Sequence, residues 1–309
     1  MTQPNTGSSA ASTAARSAEQ RAAWEARVLA AQRRGGALRV GRIMGKAAGV
    51  SALLFFTLFP VYFMVVSAFS DSRTSGTGAL LPTDVSFENF VFVMTEGNFG
   101  VYLRNSLVVA GITVACACVL SMLAAVAVAR FRFRFRTAVL VMILIVQMVP
   151  LEALVIPLFI QVRDLQLLNT VIGLSLVYVA LSLPLAVWMM RGFVAAVPKE
   201  VEEAAYIDGA SWPQMFWKVL FPLVAPGLVA TAIFSFIVAW NEFVLAMTFM
   251  TQSENYTVAV GLRQFFGQYA NDWGHVMAAS TIITIPVMVF FILVQRWLVA
   301  GLVQGAVKG

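Results

Sequence analysis

Six long apolar blocks interrupt this chain of 309 residues. Each block is long enough to cross about 30 Å of hydrocarbon as a helix. None of them shows the alternation of apolar and polar residues that is typical of membrane strands. Because a segment within lipid must satisfy its own backbone hydrogen bonds, we expect an all-α integral membrane protein with six transmembrane helices. The expected spans are 47–69, 105–129, 137–160, 171–190, 223–250 and 276–300.

The basic residues are distributed unevenly among the segments between these blocks. Seventeen of the 21 Lys and Arg residues lie on one side of the predicted membrane, in residues 1–46, 130–136 and 191–222 and at the chain end. The positive-inside rule therefore predicts that both termini are cytoplasmic. The formal net charge of +6 then reflects topology and contact with anionic membrane lipid, and a nucleic-acid partner is not expected.

This pattern predicts three parts of the chain. Residues 1–46 form a basic cytoplasmic tail, residues 47–300 a six-helix transmembrane domain, and residues 301–309 a short cytoplasmic tail. The 46 mostly polar residues before the first apolar block do not fit a cleavable signal sequence.

The residues that could hold a metal or a nucleotide are few. Cys116 and Cys118 lie in one apolar block and His275 is the single histidine, so neither a disulfide framework nor a zinc site is expected. Residues 41–47 resemble a phosphate-binding loop, but the spacing between the glycines is one residue short. Ala47 also stands where Ser or Thr would hold magnesium. We expect no catalytic residue, no metal and no cofactor in this chain.

The segment 198–222 is predicted to form a compact helix–turn–helix outside the membrane. Pro198 precedes several glutamates, which favour the positive end of a helix dipole. Gly209 stands where a left-handed cap would end the first helix. Ser211 and Gln214 have the spacing of a capping box that starts a second helix.

The surface of this segment allows two interpretations. Val201, Ala204 and Ala205 are expected on one face of the first helix, where small side chains permit close docking, and acidic residues surround them. Such a surface suits a partner with a basic-rimmed cleft. A well-capped surface connection without any partner is the other interpretation, since acidic helix starts are common.

Here the sequence resembles a known family. Glu203-Ala204-Ala205, Gly209 and Phe221-Pro222 have the spacing of the signature loop of ABC-importer permeases, with Val219 and Phe221 replacing its Ile and Leu. The chain resembles the carbohydrate-uptake class, and in particular the smaller permease of maltose importers, from the first span onward. Other matching stretches are 147–150, 202–211, 256–261, 295–299 and 307–309. The loop 130–136 begins like the family's Ala-Arg-x-Arg-Phe, but Arg134-Phe135 replaces its Pro-Gly turn.

The resemblance implies a type I ABC-importer permease fold in the bacterial cytoplasmic (inner) membrane. It implies a non-catalytic subunit with four kinds of partner: a second homologous permease, two ATPase subunits that bind ATP and magnesium, an extracytoplasmic sugar-binding protein, and lipid. Residues 198–210 would be the coupling helix, with Glu203 as the ion-pair residue toward the ATPase. The implied ATPase contacts are Glu202, Glu203, Ala204, Ala205, Asp208, Gly209 and Pro222, with Gln304 and Lys308 in the C-terminal region.

Two further sets of residues are candidates for contact with the sugar or its carriers. By resemblance, the loop 251–275 would help to release sugar from the binding protein, although an aromatic belt at the membrane interface also explains some of its residues. The candidates in this loop are Gln264, Phe265, Phe266, Gln268, Tyr269 and Asn271. Polar groups within the spans, namely Glu152, Asn241 and Glu242, would line the pathway or pair at the permease–permease interface.

The function that this resemblance implies is ATP-driven translocation of a sugar or oligosaccharide of the maltose, maltodextrin or trehalose type. The alternative is a secondary, ion-coupled transporter. Such proteins commonly have internal repeats, and no clear repeat is present in this sequence.

Overall fold

The computed structural model describes Trp24 and residues 42–70, 85–266 and 273–306, with side chains as far as Trp297 in the last segment. Apart from one isolated bridge between Ser70 and Val85, the regular structure of these residues is helical. The prediction of an all-α protein is confirmed for this part of the chain. Two compact units, 1–63 and 64–309, divide the chain.

The helices follow the apolar blocks closely. Helix α1 (Arg42–Ala68) begins in the first unit and ends in the second. The second unit continues with α2 (Glu88–Thr95), α3 (Phe99–Arg130), α4 (Arg136–Gln147), α5 (Leu151–Asp164), α6 (Val171–Ala196), α7 (Lys199–Ile207), α8 (Trp212–Met215), α9 (Phe221–Asn241), α10 (Val244–Phe249), α11 (Val258–Leu262) and α12 (Trp273–Ala306).

The third predicted span differs from a single straight helix. Helices α4 and α5 meet at an angle of 101°. Pro150 separates them in an extended conformation, with ψ at 135°, because proline has no backbone N–H and disfavours helix in the residue before it. By length and composition, the described residues therefore contain five helices that could cross a membrane, or six if this bent pair counts as one span.

The fifth predicted span, 223–250, also has different limits. One helical run extends from Trp212 to Asn241 and contains a π-helical turn at Phe216–Leu220. Within this turn the Phe221 N–H donates to the Phe216 carbonyl. Pro222 explains the turn, because it cannot donate to the carbonyl four residues earlier and its ring would clash there. The second helix predicted for 198–222 is thus the start of the spanning helix.

Helices α3, α6 and α9 form the centre of the second unit. Helices α3 and α6 run in the same direction, since Arg130 at the end of α3 contacts Val197 just after α6. Helix α9 runs in the opposite direction. Two apolar clusters fill this arrangement, one toward α11 and one toward α7; their largest buried members include Tyr102, Tyr178 and Phe249 in the first and Met190, Phe216 and Leu220 in the second.

Gly227 allows the close approach of α9 to α6. A Cβ atom at this position would lie 2.5 Å from Cγ of Phe193, and 2.8 Å from its Cβ. Such a contact involves the root of the side chain, so a rotation of the ring alone would not relieve it.

We expect Gly227→Ala to destabilise the protein by about 1–3 kcal/mol, because it overpacks this helix contact. Gly111→Ala is the matched control, since a Cβ at Gly111 meets nothing within 4 Å and alanine favours a helix. Thermal unfolding of the purified chain in detergent measures both. Equal melting temperatures for the two variants would contradict the close approach.

Candidate functional site

Helix α7 ends in the cap that the sequence predicts. Gly209 has φ of +84°, a backbone conformation that glycine adopts without steric cost. Its N–H donates to the Tyr206 carbonyl at 3.0 Å, and the Ala210 N–H donates to the Ala205 carbonyl at 3.0 Å. These two bonds form a Schellman motif, which closes the helix end. The predicted left-handed cap at Gly209 is confirmed.

The next helix starts with the predicted capping box. Gln214 Oε1 accepts the backbone N–H of Ser211 at 2.8 Å and lies 3.1 Å from its hydroxyl. Such bonds satisfy donors that a helix start leaves free. Since the connection between α7 and α8 is capped on both sides, the turn holds α7 at a fixed angle to the spanning helix.

A largely buried ion pair joins α7 to the end of α3. Arg130 Nε donates to Glu202 Oε1 at 2.7 Å, and Arg130 Nη2 donates to the carbonyl oxygen of Val197 at 2.9 Å. The Arg130 and Glu202 side chains are each 11% exposed. Glu202, one of the predicted contact residues, is therefore engaged within the chain.

Helix α7 presents different residues inward and outward. Ala205 packs against the apolar cluster below the helix. Glu200, Glu203, Ala204 and Ile207 are exposed and lie at the i, i+3, i+4 and i+7 positions of one helix face. We refer to these four residues as the exposed stripe of α7.

The exposed stripe differs from the face that the sequence suggests. Ala204 and Ala205 diverge, since Ala204 is exposed and Ala205 is half-buried. Ile207, in contrast, is 86% exposed, which is unusual for a large apolar side chain at the end of an acidic helix. Asp208 and Pro222 are also exposed, Asp208 after the last turn of α7 and Pro222 beside the π-helical turn.

At the opposite end of α3, the segment that follows α10 is bound to that helix. Asn105 Nδ2 donates to the carbonyls of Glu254 and Tyr256, at 2.9 and 3.1 Å. The Ser106 hydroxyl accepts the backbone N–H of Val258 at 2.9 Å. These bonds connect residues about 150 positions apart and fix the base of the predicted outer loop.

The predicted residues of that loop divide into anchors and exposed groups. Gln264 Nε2 donates to the Tyr102 hydroxyl at 3.0 Å, and Phe265 is 8% exposed, so both hold the loop to the helices. Phe266 is 45% exposed and packs edge-on against Trp273. The remaining candidates, Gln268, Tyr269 and Asn271, lie outside the described residues.

Glu242 has a structural role within the spans. Its carboxylate accepts the backbone N–H groups of Leu245 and Ala246 at 2.8 and 3.0 Å, and the hydroxyl of Tyr178 at 2.6 Å. It therefore caps α10 where the chain resumes a helix after the break at the end of α9.

The other two polar candidates in the spans are exposed. Asn241 donates from Nδ2 to the Ile237 carbonyl of its own helix at 3.0 Å. Glu152 lies in the first turn of α5, where the helix dipole favours a negative charge. Glu152 and Glu242 thus have similar positions, since each lies at the start of a helix that follows a break.

The chain matches a family of known transport proteins. Residues 117–304 match the model of the binding-protein-dependent transport system inner membrane component. The diacetylchitobiose uptake system permease protein DasC of Streptomyces coelicolor is 39% identical over 84% of this chain and 96% of its own length. The trehalose/maltose transport system permease protein MalG of Thermococcus litoralis is 37% identical over 84% of this chain and 95% of its own.

The chain belongs to this family. It is accordingly a multi-pass permease component of the inner membrane. A chain from a bacterial ABC transporter that imports the acidic polysaccharide alginate has the same fold, with a TM-score of 0.71, 23% identity, and coverage of 82% of this permease and 96% of that chain.

Three residues of the permease have contacts or exposure that the sequence analysis did not predict. Arg130 stands in the loop motif shared with the family, but the sequence does not reveal that its partner is 72 positions away. Ile207 was detectable as a large apolar residue at the i+4 position from Glu203. Nothing in the local sequence around Tyr178 indicates its bond to Glu242, because the two meet only through the packing of α6 against α9.

The C-terminal candidates lie at and beyond the end of the described residues. Gln304 lies within the range of α12, and its side chain is outside the described part of the permease. Lys308 lies beyond the described residues altogether. Their role in partner binding stays a prediction.

We expect Glu242→Ala to lower the stability of the isolated permease by several kcal/mol, since each buried donor left unpaired costs about 1–3 kcal/mol. Asn241→Ala is the matched control and should remain within about 0.5 kcal/mol of wild type, because Asn241 is exposed. Thermal unfolding in detergent separates the two. A Glu242→Ala variant with wild-type stability but impaired transport would instead indicate a role in the pathway or at the permease–permease interface.

Proposed function

We propose that this permease is a subunit of an ATP-driven importer that carries a sugar or oligosaccharide into the cytoplasm. The names of its relatives support a carbohydrate cargo: diacetylchitobiose in one case, trehalose and maltose in another, and maltodextrin in the permease MalD of Streptococcus pneumoniae, which is 32% identical over 82% of this chain. A glycoside of two or more sugar units is the substrate class common to these names.

The exposed stripe of α7 is the proposed ATPase-docking surface, and it is the observation on which the coupling proposal depends. Glu203 supplies a charge for an ion pair at the rim of a partner cleft. Ala204 permits close approach of the helix backbone. Ile207 provides an apolar anchor, whose transfer from water into a partner pocket would contribute about 1.5–3 kcal/mol.

The rigidity of α7 supports the same proposal. The Schellman motif closes one end of the helix, and the Arg130–Glu202 pair holds the other. A pre-organised helix loses little conformational freedom on binding, so more of the contact energy remains available for affinity. A slack surface connection would not require these restraints.

The proposed assembly has two permeases and two ATPase subunits. By the positive-inside rule, the α7 end of the bundle and both chain termini face the cytoplasm. The ATPase subunits bind ATP and magnesium and contact α7, with Gln304 and Lys308 as a second contact. A sugar-binding protein docks at the opposite end, near Phe266 and the segment that follows it.

Coupling in this assembly is a rigid-body motion. Short turns join helix α7 to α6, which precedes it, and to the helical run Trp212–Asn241, which follows it. A displacement of α7 during the closure of the ATPase pair therefore moves two spans directly. The pathway then opens alternately to each side. No feature of the described residues favours the ion-coupled alternative.

We expect Glu203→Lys and Ile207→Asp each to weaken ATPase binding about tenfold or more, because they disrupt the rim charge and the apolar anchor. Co-purification and titration of the purified ATPase with the membrane-inserted permease measure this. Glu254→Lys makes the same change of charge at the opposite end of the bundle and should bind normally. Normal docking of both α7 variants would remove the exposed stripe from the mechanism.

The substrate class is tested in proteoliposomes that contain the complete complex and its binding protein. We expect uptake of labelled disaccharides or longer glycosides only when ATP is enclosed, and no uptake in response to an ion gradient alone. A panel of disaccharides, maltodextrins and non-carbohydrate solutes of equal size discriminates the classes. Gradient-driven uptake without ATP would support the ion-coupled alternative.

A further inference from the structure

One guanidinium group connects three helices at the α7 end of the bundle. Arg130 is the last residue of α3, Val197 follows the last residue of α6, and Glu202 lies in the first turn of α7. Arg130 donates to both of the latter, on either side of the corner at Pro198. Both arms of this corner are therefore held to the end of α3.

Helix α3 has no chain connection to α7 that could transmit a displacement. The neighbours of α7 along the chain are α6 and the run Trp212–Asn241. Helix α3 packs against both α6 and α9 through the apolar cluster that contains Met122, Met190 and Leu220. Apolar burial is non-directional, so the charged contacts of Arg130 add a directional restraint to this packed interface.

Packing is also incomplete beside the ion pair. A cavity of about 180 Å³ separates the end of α3 from α7 and α8. Arg130 and Glu202 line it together with Tyr206 and Trp212. The ion pair therefore lies at the wall of a cavity that it shares with Phe131, Met215 and Leu220. A second ion pair, Arg163–Asp164, is exposed and joins sequence neighbours.

We propose that Arg130 is a positioning residue for energy coupling, which fastens α3 to the α6–α7 corner so that α3, α6 and α9 move as one body. The inference depends on the proposed function, because α7 must be displaced by a partner for the fastening to matter. The pair is suited to this task, since a charged, two-point contact has a defined direction and length. Loss of either partner would uncouple α3 from a docked and moving α7.

The test uses the whole complex in proteoliposomes with Arg130→Gln and Arg132→Gln as a matched pair. Both remove one charge from the same loop, but Arg132 is exposed. We expect assembled complexes with Arg130→Gln to hydrolyse ATP, while the number of sugar molecules transported per ATP falls about fivefold or more. Arg132→Gln should retain the wild-type ratio.

A double-mutant cycle separates positioning from general stability. Glu202→Gln should reproduce the defect of Arg130→Gln, and the double variant should be no worse than either single one, because both remove the same contact. Arg130→Lys retains the charge but lacks the fork that reaches two acceptors, so it should restore the ratio only in part. Melting temperatures and ATPase titrations accompany each variant.

Two results would overturn the proposal. A wild-type transport ratio in Arg130→Gln would show that the pair does not transmit motion. Parallel losses of docking, melting temperature and uptake would mean that the pair only folds the docking surface. Failure of the proposed function is distinguishable from both, because in that case the wild-type complex itself would show no sugar uptake that depends on ATP.

Discussion

The absence of water in the hydrocarbon core governs this structure, because every backbone donor and acceptor there needs a partner from the protein. Uninterrupted helices satisfy the requirement, and the breaks in them need a side chain or a special turn. Glu242 meets it where α9 gives way to α10, by accepting two backbone N–H groups. The π-helical turn satisfies the backbone just before Pro222, where the Phe221 N–H donates to the Phe216 carbonyl. Together with the bond from the Tyr178 hydroxyl, the backbone contacts of Glu242 give this carboxylate in the fifth span a structural role.

The two ends of α3 are held by different kinds of contact. Toward α11, neutral bonds from Asn105 and Ser106 tie a long connecting segment to the helix. Toward α7, a charged group holds a corner beside a cavity. The neutral bonds distribute the restraint over several atoms of the connecting segment, whereas one guanidinium group carries the restraint at the corner. Under the proposed coupling, loss of that one group would release the end of α3.

Sequence patterns predicted what depends on neighbours along the chain. Long apolar helices, the cap at Gly209 and the box at Ser211 are local features, and the structure contains them, although the third predicted span is bent and the fifth has other limits. The bend at Pro150 also has a local cause, but the apolar sequence on both sides of this proline does not predict the angle between the two helices. The partner of Arg130 and the burial of Glu202 required the packing of three helices. Ala204 and Ala205 are identical residues, so their hydrophobicity cannot distinguish them. Their different exposure is visible only in the folded structure.

The exposure of Ile207 has a consequence for each copy of the subunit that is not docked. An unassembled copy carries a large aliphatic group in water, on a helix too well capped to withdraw it. In the proposed complex a partner would cover Ile207, so the side chain that favours docking carries the cost of its contact with water in every copy that is not docked.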